Sequence, residues 1–350
     1  MKIEAELHRI LEKAWCSIPL TRQDCKYLLS LEETSFASGL LRSTAGSIIR
    51  SKNDNSAVIL GQIGVDISLC PGGCKFCVFG DGHTKFTSSH MSEEELYEKI
   101  EGFCKFGDLY GLYLMTMHQY DLDHYLRVIR QARKSASETT QIWANVGDSG
   151  LEALQEIRKA GVTGIYHVCR IGEGKDTNLK PEDRIRTMRH ALDAGLELYT
   201  CCEPIGPEHT VDELVDNIFI GVEMGITQHA AMRRVAVPGT PLAKYGQISE
   251  LRLAHIVAVI ALCSLTVPTM AYIGVHEPNA LSYASGANII TAESGANPRD
   301  CQGDTSKNRG MDMARCRKML FECGFTHIRR GDESKIPLNL EYLHQTDSLN

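Results

Sequence analysis

From residue 56 onward, short apolar runs alternate with amphipathic stretches in a strand-then-helix rhythm. Residues 57–68, 109–117, 141–146, 164–169, 196–203, 228–237, 269–274 and 287–292 predict strands. Helical periodicity fills the spaces between them, over 121–133, 150–160, 181–194, 211–224, 250–265 and 279–285, with a last helix at 312–323. Local signals support these elements. Ser92-Glu-Glu-Glu95 and Thr210 open helices, Pro181 suits a first helical turn, and Gly161 and Gly195 follow helix ends. Close to eight strand–helix units imply an α/β fold, a TIM-type (β/α)8 barrel of parallel strands. Ahead of it, residues 1–55 read as an N-terminal helical extension that packs on the bottom or side. Ile3, Leu7, Ile10, Leu11 and Ala14 share one face there, and helices follow at 23–31 and 35–51. Residues 326–350 are left as a tail.

Composition narrows the picture little. The 350 residues carry a net charge of −7 with both signs interspersed, so nothing calls for nucleic acid. The first residues carry acids and no apolar run of the kind a leader needs. The longest apolar stretch, 253–267, contains His255 and Ser264 and reads as a buried helix, so no membrane partner is expected. Thirteen cysteines without a secretory signal point to a reducing cytoplasm.

The chemistry concentrates in Cys70-Pro-Gly-Gly-Cys74-Lys-Phe-Cys77, which follows the first predicted strand at the mouth where barrels place their sites. Three closely spaced thiolates suit three corners of a cubane iron–sulfur cluster, and with no fourth cysteine nearby one iron stays open. A zinc site needs a fourth ligand from far away, and a disulfide with a spare thiol suits a secreted chain.

The loop resembles that of the radical S-adenosylmethionine (SAM) superfamily, Cys-x3-Cys-x-aromatic-Cys, and in wording it is closest to biotin synthase. Ala144-Asn-Val-Gly-Asp-Ser-Gly, Gly239-Thr-Pro-Leu-Ala243 and Ser285-Gly-Ala-Asn-Ile-Ile290 extend the likeness over residues 56–325. Methylornithine synthase and the hydrogenase maturase HydE are further relatives by this resemblance. It implies a radical SAM core over 56–237 and a biotin and thiamin synthesis-associated part of the same barrel over 238–325. It also implies a [4Fe-4S] cluster on Cys70, Cys74 and Cys77, with SAM chelating the open iron, and a 5′-deoxyadenosyl radical that abstracts hydrogen from substrate. By position, Glu173 matches the acid that holds the ribose and Arg184 the arginine that pairs with the SAM carboxylate. Phe76 lies inside the loop, and His118 stands in the segment 115–119, which replaces the family's usual contact to the SAM amino group.

Departures from biotin synthase bear on the substrate. Where that family ligates a second, sulfur-donating cluster, an ungapped alignment places Leu114, Trp143, Tyr199 and Ala271. Ordinary biotin synthase activity is therefore not expected. Strand alternation puts Tyr199, Cys201 and Glu203 on one side and Cys202 on the other. Cys169, Asn145, Tyr272, His276 and Arg234 (or its neighbour Arg233) complete the lumen candidates. Cys169 and Cys201 could be ligands, radical-quenching donors or buried hydrophobes. Cys301, Cys316 and Cys323 leave a C-terminal second Fe-S cluster open. The expectation is a radical SAM enzyme with a small-molecule substrate, for rearrangement or cofactor biosynthesis, served by an electron donor such as flavodoxin or ferredoxin. Sulfur insertion through an auxiliary cluster and a non-catalytic Fe-S or zinc scaffold are the rival readings.

Overall fold

Among the residues that the computed structural model describes, 4–80, 82–83 and 86–348, eight parallel strands close into a barrel. Three helices precede it: α1 (Ala5–Trp15), α2 (Arg22–Leu29) and α3 (Phe36–Lys52). Ile3, expected on the face of α1, lies outside the described residues; Leu7, Ile10, Leu11 and Ala14 are buried as expected. The first barrel strand, β1 (Ser56–Gly64), ends earlier than the pattern predicted. The next residues leave the barrel as β2 (Asp66–Ile67) and pair antiparallel with β3 (Ser89–His90). This small ribbon closes the neck of the segment that carries the three cysteines.

The units then repeat. They are α4 (Glu93–Cys104), β4 (Gly111–Met115), α5 (Leu122–Ser135), β5 (Gln141–Asn145), α6 (Leu151–Lys159), β6 (Gly164–Tyr166), α7 (Pro181–Asp193) and β7 (Glu197–Ile205). Next come α8 (Val211–Met224), β8 (Gln228–Arg233), α9 (Glu250–Ser264), β9 (Tyr272–His276), α10 (Ala280–Ala284) and β10 (Ile289–Gly295). Closure is a parallel pairing of β10 with β1, from Val58 opposite Ile289 to Gly64 opposite Gly295. The expected capping boxes form at Ser92 and Thr210, where each hydroxyl takes the N3 N–H and the N3 glutamate returns to the cap N–H.

Helix α9 is buried on nearly every side. The barrel lies on one face, against β8 and β9, and α2 and α3 cover the other. A helix apolar all round fits that sandwiched position. Among the described residues no helix is long and apolar enough to cross a membrane.

Residues 326–348 are organised beyond what a tail suggests. After α11 (Met313–Glu322), β11 (His327–Arg329) adds to the lower end of β1 and turns back through β12 (Lys335–Pro337); α12 (Leu340–Asp347) follows. The turn reaches under the barrel. Gln141 Nε2 donates to Gly331 O at 2.8 Å, and Tyr272 Oη donates to Glu333 Oε2 at 2.8 Å. The lower lumen is packed with Tyr110, Tyr113, Trp143, Tyr199 and Tyr272. Tyr113 stacks on Trp143 at 5.2 Å between centroids, and Tyr199 meets Tyr166 edge-on at 4.9 Å.

Candidate active site

The cysteine loop is fixed almost wholly by backbone hydrogen bonds. Cys70 N–H donates to Phe79 O at 2.7 Å, and Cys77 N–H to Cys74 O at 3.0 Å. Three loops at the barrel mouth then hold it. Asn178 N–H donates to Gly72 O, Lys75 N–H to Asp176 O, Leu242 N–H to Lys75 O, and Val78 N–H to Pro298 O, all within 3.0 Å. Gly73 adopts φ +55°, and a β-carbon there would meet the Asn178 side chain at 2.5 Å. The Lys75 ammonium adds a bond to Lys175 O at 2.7 Å and a pairing with Asp176 at 3.2 Å.

Cys70, Cys74 and Cys77 are free thiols that line one cavity at the C-terminal mouth. The cavity has about 1040 Å³ of empty space, part of it open to solvent. Burial pushes the Cys74 thiol up to about 11 and the Cys77 thiol higher still. Phe79 N–H points at Cys77 Sγ from 3.4 Å. Among the described residues, three-ligand sets of histidine, cysteine and acid that converge within 4.8 Å do not include this triad. Three thiols on one loop supply one ligand fewer than a structural zinc takes and fit a polynuclear cluster with an open iron better. Of the expected cofactor contacts, Phe76, His118 and Arg184 line the same cavity. The Phe76 ring lies 5.8 Å from the Arg170 guanidinium.

Arg184, from the first turn of α7, is held from two sides. Its Nε donates to Val168 O at 2.9 Å and its Nη1 to Asp148 Oδ1 at 2.8 Å. Asp148 also faces His167 Nε2 at 3.1 Å. Burial works against the Asp148 charge, but His167 and Arg184 hold its carboxyl below the usual carboxylate range. Burial and then Arg184 push His167 down to about 3, so its imidazole is neutral. The loop carrying Asp148 packs tightly on the loop of His118. A β-carbon on Gly147 would lie 1.8 Å from His118 O, so only glycine permits this approach. Glu173 stands after β6, beside Arg170 and Arg184. It is buried, accepts from Thr177 Oγ1 at 2.6 Å and from Arg170 N–H at 3.1 Å, and is not among the cavity-lining residues.

The upper lumen continues the cavity downward. Asn145, Glu203 and His276 line it, with Gln62, Tyr166, Met232, Arg170 and Arg299. Tyr166 Oη donates to Glu203 Oε2 at 2.5 Å. Arg170 Nε lies 3.0 Å from Glu203 Oε1, although its N–H is not aimed at that oxygen. Burial disfavours the Arg170 charge, but Glu203 and Glu173 more than offset it and raise the guanidinium above its ordinary value. Arg299 pairs with Glu277 at 2.9 Å and also with Glu293. Burial and Arg299 push His276 down to about 3.

Other candidates lie elsewhere. Tyr199 sits in the aromatic floor, 3.3 Å from His276 Nε2. Cys201 is buried beside Tyr166 and Glu203, with Cys202 on the outer face as expected. Cys169 is buried beyond the end of β6, and burial raises its thiol to about 11. Tyr272 is at the bottom of the barrel, on Glu333. Arg234 is not in the lumen, because β8 ends one residue earlier; its guanidinium grips Glu208 and Gly246 O. Arg233 turns to Ile248 O and Glu250. The inward residue of β4 is Tyr113, while Leu114 packs outward with the helices. Cys316 is buried, Cys323 half-buried and Cys301 exposed, and no three-ligand group unites them among the described residues. Arg170 and Arg299 were missed by the sequence reading. Arg170 was legible as the neighbour of Cys169, but Arg299 comes from a loop after β10 and reaches the site only through closure of the barrel.

The molecule is thus a parallel barrel with a thiol triad at its C-terminal mouth. No family model matches the chain. Biotin synthase of Hydrogenobaculum sp. (strain Y04AAS1) is 27% identical over 203 residues, 54% of this chain and 60% of that protein. Biotin synthase of Desulforudis audaxviator (strain MP104C) is 25% identical over 214 residues, 58% of this chain and 61% of that one. The chain therefore spans about three fifths of the curated relatives it matches. Among solved structures, methylornithine synthase (PylB) superposes with a TM-score of 0.75 at 17% identity, over 97% of this chain and 100% of its own. The [FeFe]-hydrogenase maturase HydG gives 0.75 at 15% identity, over 93% of this chain and 76% of its own. The fold is the barrel these proteins share. Together with the cysteine loop, the sequence likeness is to the biotin synthase-like group of the radical SAM superfamily.

Proposed function

We propose that this chain is a radical SAM enzyme acting on a small substrate enclosed in the upper lumen, in a rearrangement or a cofactor-assembly reaction. The observation that carries the reading is the meeting of three free thiols with a cavity lined by arginine and carboxylate at the mouth of a parallel barrel. Cys70, Cys74 and Cys77 would hold a [4Fe-4S] cluster, their thiols giving up protons on binding. Such a cluster, reduced by one electron from an external donor, would supply the electron that splits SAM into methionine and a 5′-deoxyadenosyl radical able to take a hydrogen atom from the substrate. Arg184, already oriented by Val168 O and Asp148, offers a guanidinium to the SAM carboxylate. Phe76, Phe79 and Met117 give the mouth apolar walls. Deeper in, Arg170 and Glu203 present paired charges to a polar substrate, and Glu203 holds the Tyr166 hydroxyl proton in place. Glu173 acts by positioning Arg170 and Arg184, from which it stands 3.8 and 3.5 Å.

The aromatic floor supports rearrangement over sulfur insertion. Tyr113, Trp143 and Tyr199 fill the depth that a second, sacrificial cluster would need, and none offers a thiolate. An electron donor such as flavodoxin or ferredoxin and a cytoplasmic setting complete the reading. The test is iron, sulfide and 5′-deoxyadenosine after anaerobic reconstitution with SAM and a strong reductant. About four irons per chain, and 5′-deoxyadenosine that disappears in the Cys70/Cys74/Cys77→Ala variant, are expected. Zinc in place of iron under the same handling would overturn the reading. Extra iron surviving in the variant would move sulfur insertion to the front.

A further inference from the structure

A second group of metal-ligating side chains lies apart from the cysteine cavity. Asp66 and His90 face each other in the antiparallel register of β2 and β3, so their side chains leave the ribbon on one face. His124 comes from the first turn of α5, whose cap is Asp121. His90 Nδ1 is 2.8 Å from Asp66 Oδ1, and His124 Nε2 is 4.0 Å from the same oxygen. The two imidazoles meet edge-on at 5.2 Å, and one ligand atom from each of the three residues falls within 4.8 Å of the others. A hydrogen bond between Asp66 and His90 accounts for one imidazole. It does not account for a second one, from another element, turned to the same carboxylate oxygen. Asp66 is 8% exposed, and among the described residues its ion partners are these two histidines.

We propose that Asp66, His90 and His124 form a divalent-metal site, suited to zinc, that clips the neck of the cysteine loop to α5. Two imidazole nitrogens and one carboxylate oxygen are a donor set for a borderline ion, with a further position open to water. Bond lengths of about 2.0–2.2 Å put tetrahedral ligand atoms about 3.4 Å apart, and the separations of 2.8 and 4.0 Å bracket that value. His90 is mostly exposed and His124 about one third exposed, so an ion reaches them from solvent and small rotations close the set. The consequence is topological. Asp66 stands just before the residues that bear Cys70, Cys74 and Cys77, and His90 just after them. An ion shared with α5 fixes both ends of that loop to the barrel and stabilises the closed neck by binding only there. The clip does not depend on what the cysteine triad binds.

The test uses the iron-loaded full chain, washed with chelator under anaerobic conditions and titrated with Zn2+. One zinc per chain beyond background is expected, with iron unchanged. Zinc-edge X-ray absorption is expected to show nitrogen and oxygen at about 2.0–2.1 Å with no sulfur shell. His90→Gln and His124→Gln each weaken zinc at least about tenfold without loss of iron. Zinc also slows amide exchange at residues 68–80 in the wild type and not in these variants. A sulfur shell at about 2.3 Å, or equal zinc affinity in both histidine variants and the wild type, would overturn the proposal. So would the absence of bound zinc. His90 is on the surface, so its variant tests the site without a folding failure; iron retention in each variant checks this directly.

Discussion

Below the level of Tyr166 the barrel lumen is filled by Tyr110, Tyr113, Trp143, Tyr199 and Tyr272; above it, Gln62, Asn145, Arg170, Glu203, His276 and Arg299 stand around open space. The same strands build both. Tyr113 and Met115 are two residues apart on β4, Trp143 and Asn145 on β5, and Tyr199 and Glu203 four apart on β7. Inward positions early in a strand are spent on aromatic packing, and the last inward position faces the cavity. Stability and chemistry are thereby separated by a few ångströms of depth. The separation also explains why charged groups are tolerated above. Arg170 and Arg299 each meet carboxylates at the mouth, whereas the floor carries hydroxyls and amides, with Tyr113 Oη on Gln228 Oε1 at 3.0 Å and Tyr272 Oη on the Glu333 carboxylate at its lower edge.

The most severe test of this division is the triple Cys70/Cys74/Cys77→Ala variant. Iron binding and 5′-deoxyadenosine formation are expected to vanish. The unfolding free energy of the metal-free protein in urea should change by less than about 1 kcal/mol, because the loop is held largely by its backbone. A metal-free variant that fails to fold would make the loop part of the core and erase the distinction. The converse variant is Trp143→Ala. Trp143 is fully buried and stacked on Tyr113, so its loss should cost about 3–5 kcal/mol in denaturant unfolding. Iron per folded chain should stay near the wild-type value. Loss of iron without loss of stability would show that floor and mouth are one unit.

Much of this division could be read along the chain. The parity of Tyr199, Cys201 and Cys202 gave the inner and outer faces of β7, and Val211–Met224 matched its helix because Thr210 and Gly225 mark both ends. What escaped depends on tertiary closure. The ribbon partner of Asp66 lies 24 residues on, and nothing local marks a two-residue strand. Arg299 meets Glu277, just after β9, and Glu293, within β10. The hairpin of β11 and β12 has strands of three residues, too short for alternation to register. Arg234 was assigned to the lumen by alternation, which stops counting once the strand ends at Arg233.

Acid provides a finer comparison. His276 in the upper lumen and His229 behind β8 are both held near 3, by burial in each case and by Arg299 as well for His276. A folded value below the unfolded one means that the unfolded chain binds the proton first. Each neutral histidine therefore contributes nothing above its ordinary value of about 6.5, and stability falls as pH drops from there toward 3. At about pH 5 the loss is about 2 kcal/mol per histidine. His229→Gln and His276→Gln should each remove about that much of the difference between unfolding free energies at about pH 7.5 and pH 5. Equal effects would show the upper lumen to be as dry at His276 as the packed layer around His229. A negligible effect for His276→Gln alone would show that water in the cavity hydrates its charged form.

The smallest expected effect concerns the rim, where a side chain could serve structure or ligand. Arg184 is nearly buried and donates to Val168 O and Asp148, which also faces His167 and Thr187. If Arg184 pairs with the SAM carboxylate, Arg184→Ala removes a charge-assisted contact. SAM binding to the reconstituted protein should then weaken about tenfold, about 1.4 kcal/mol. Asp148→Asn keeps the shape but loosens the hold on the guanidinium, so it should weaken SAM less than Arg184→Ala does. The order of the two is the informative result. An unchanged SAM affinity in Arg184→Ala, with a lowered unfolding midpoint, would make the arginine a strut between β6 and the loop after β5. The mouth would then share the floor's structural role at that position.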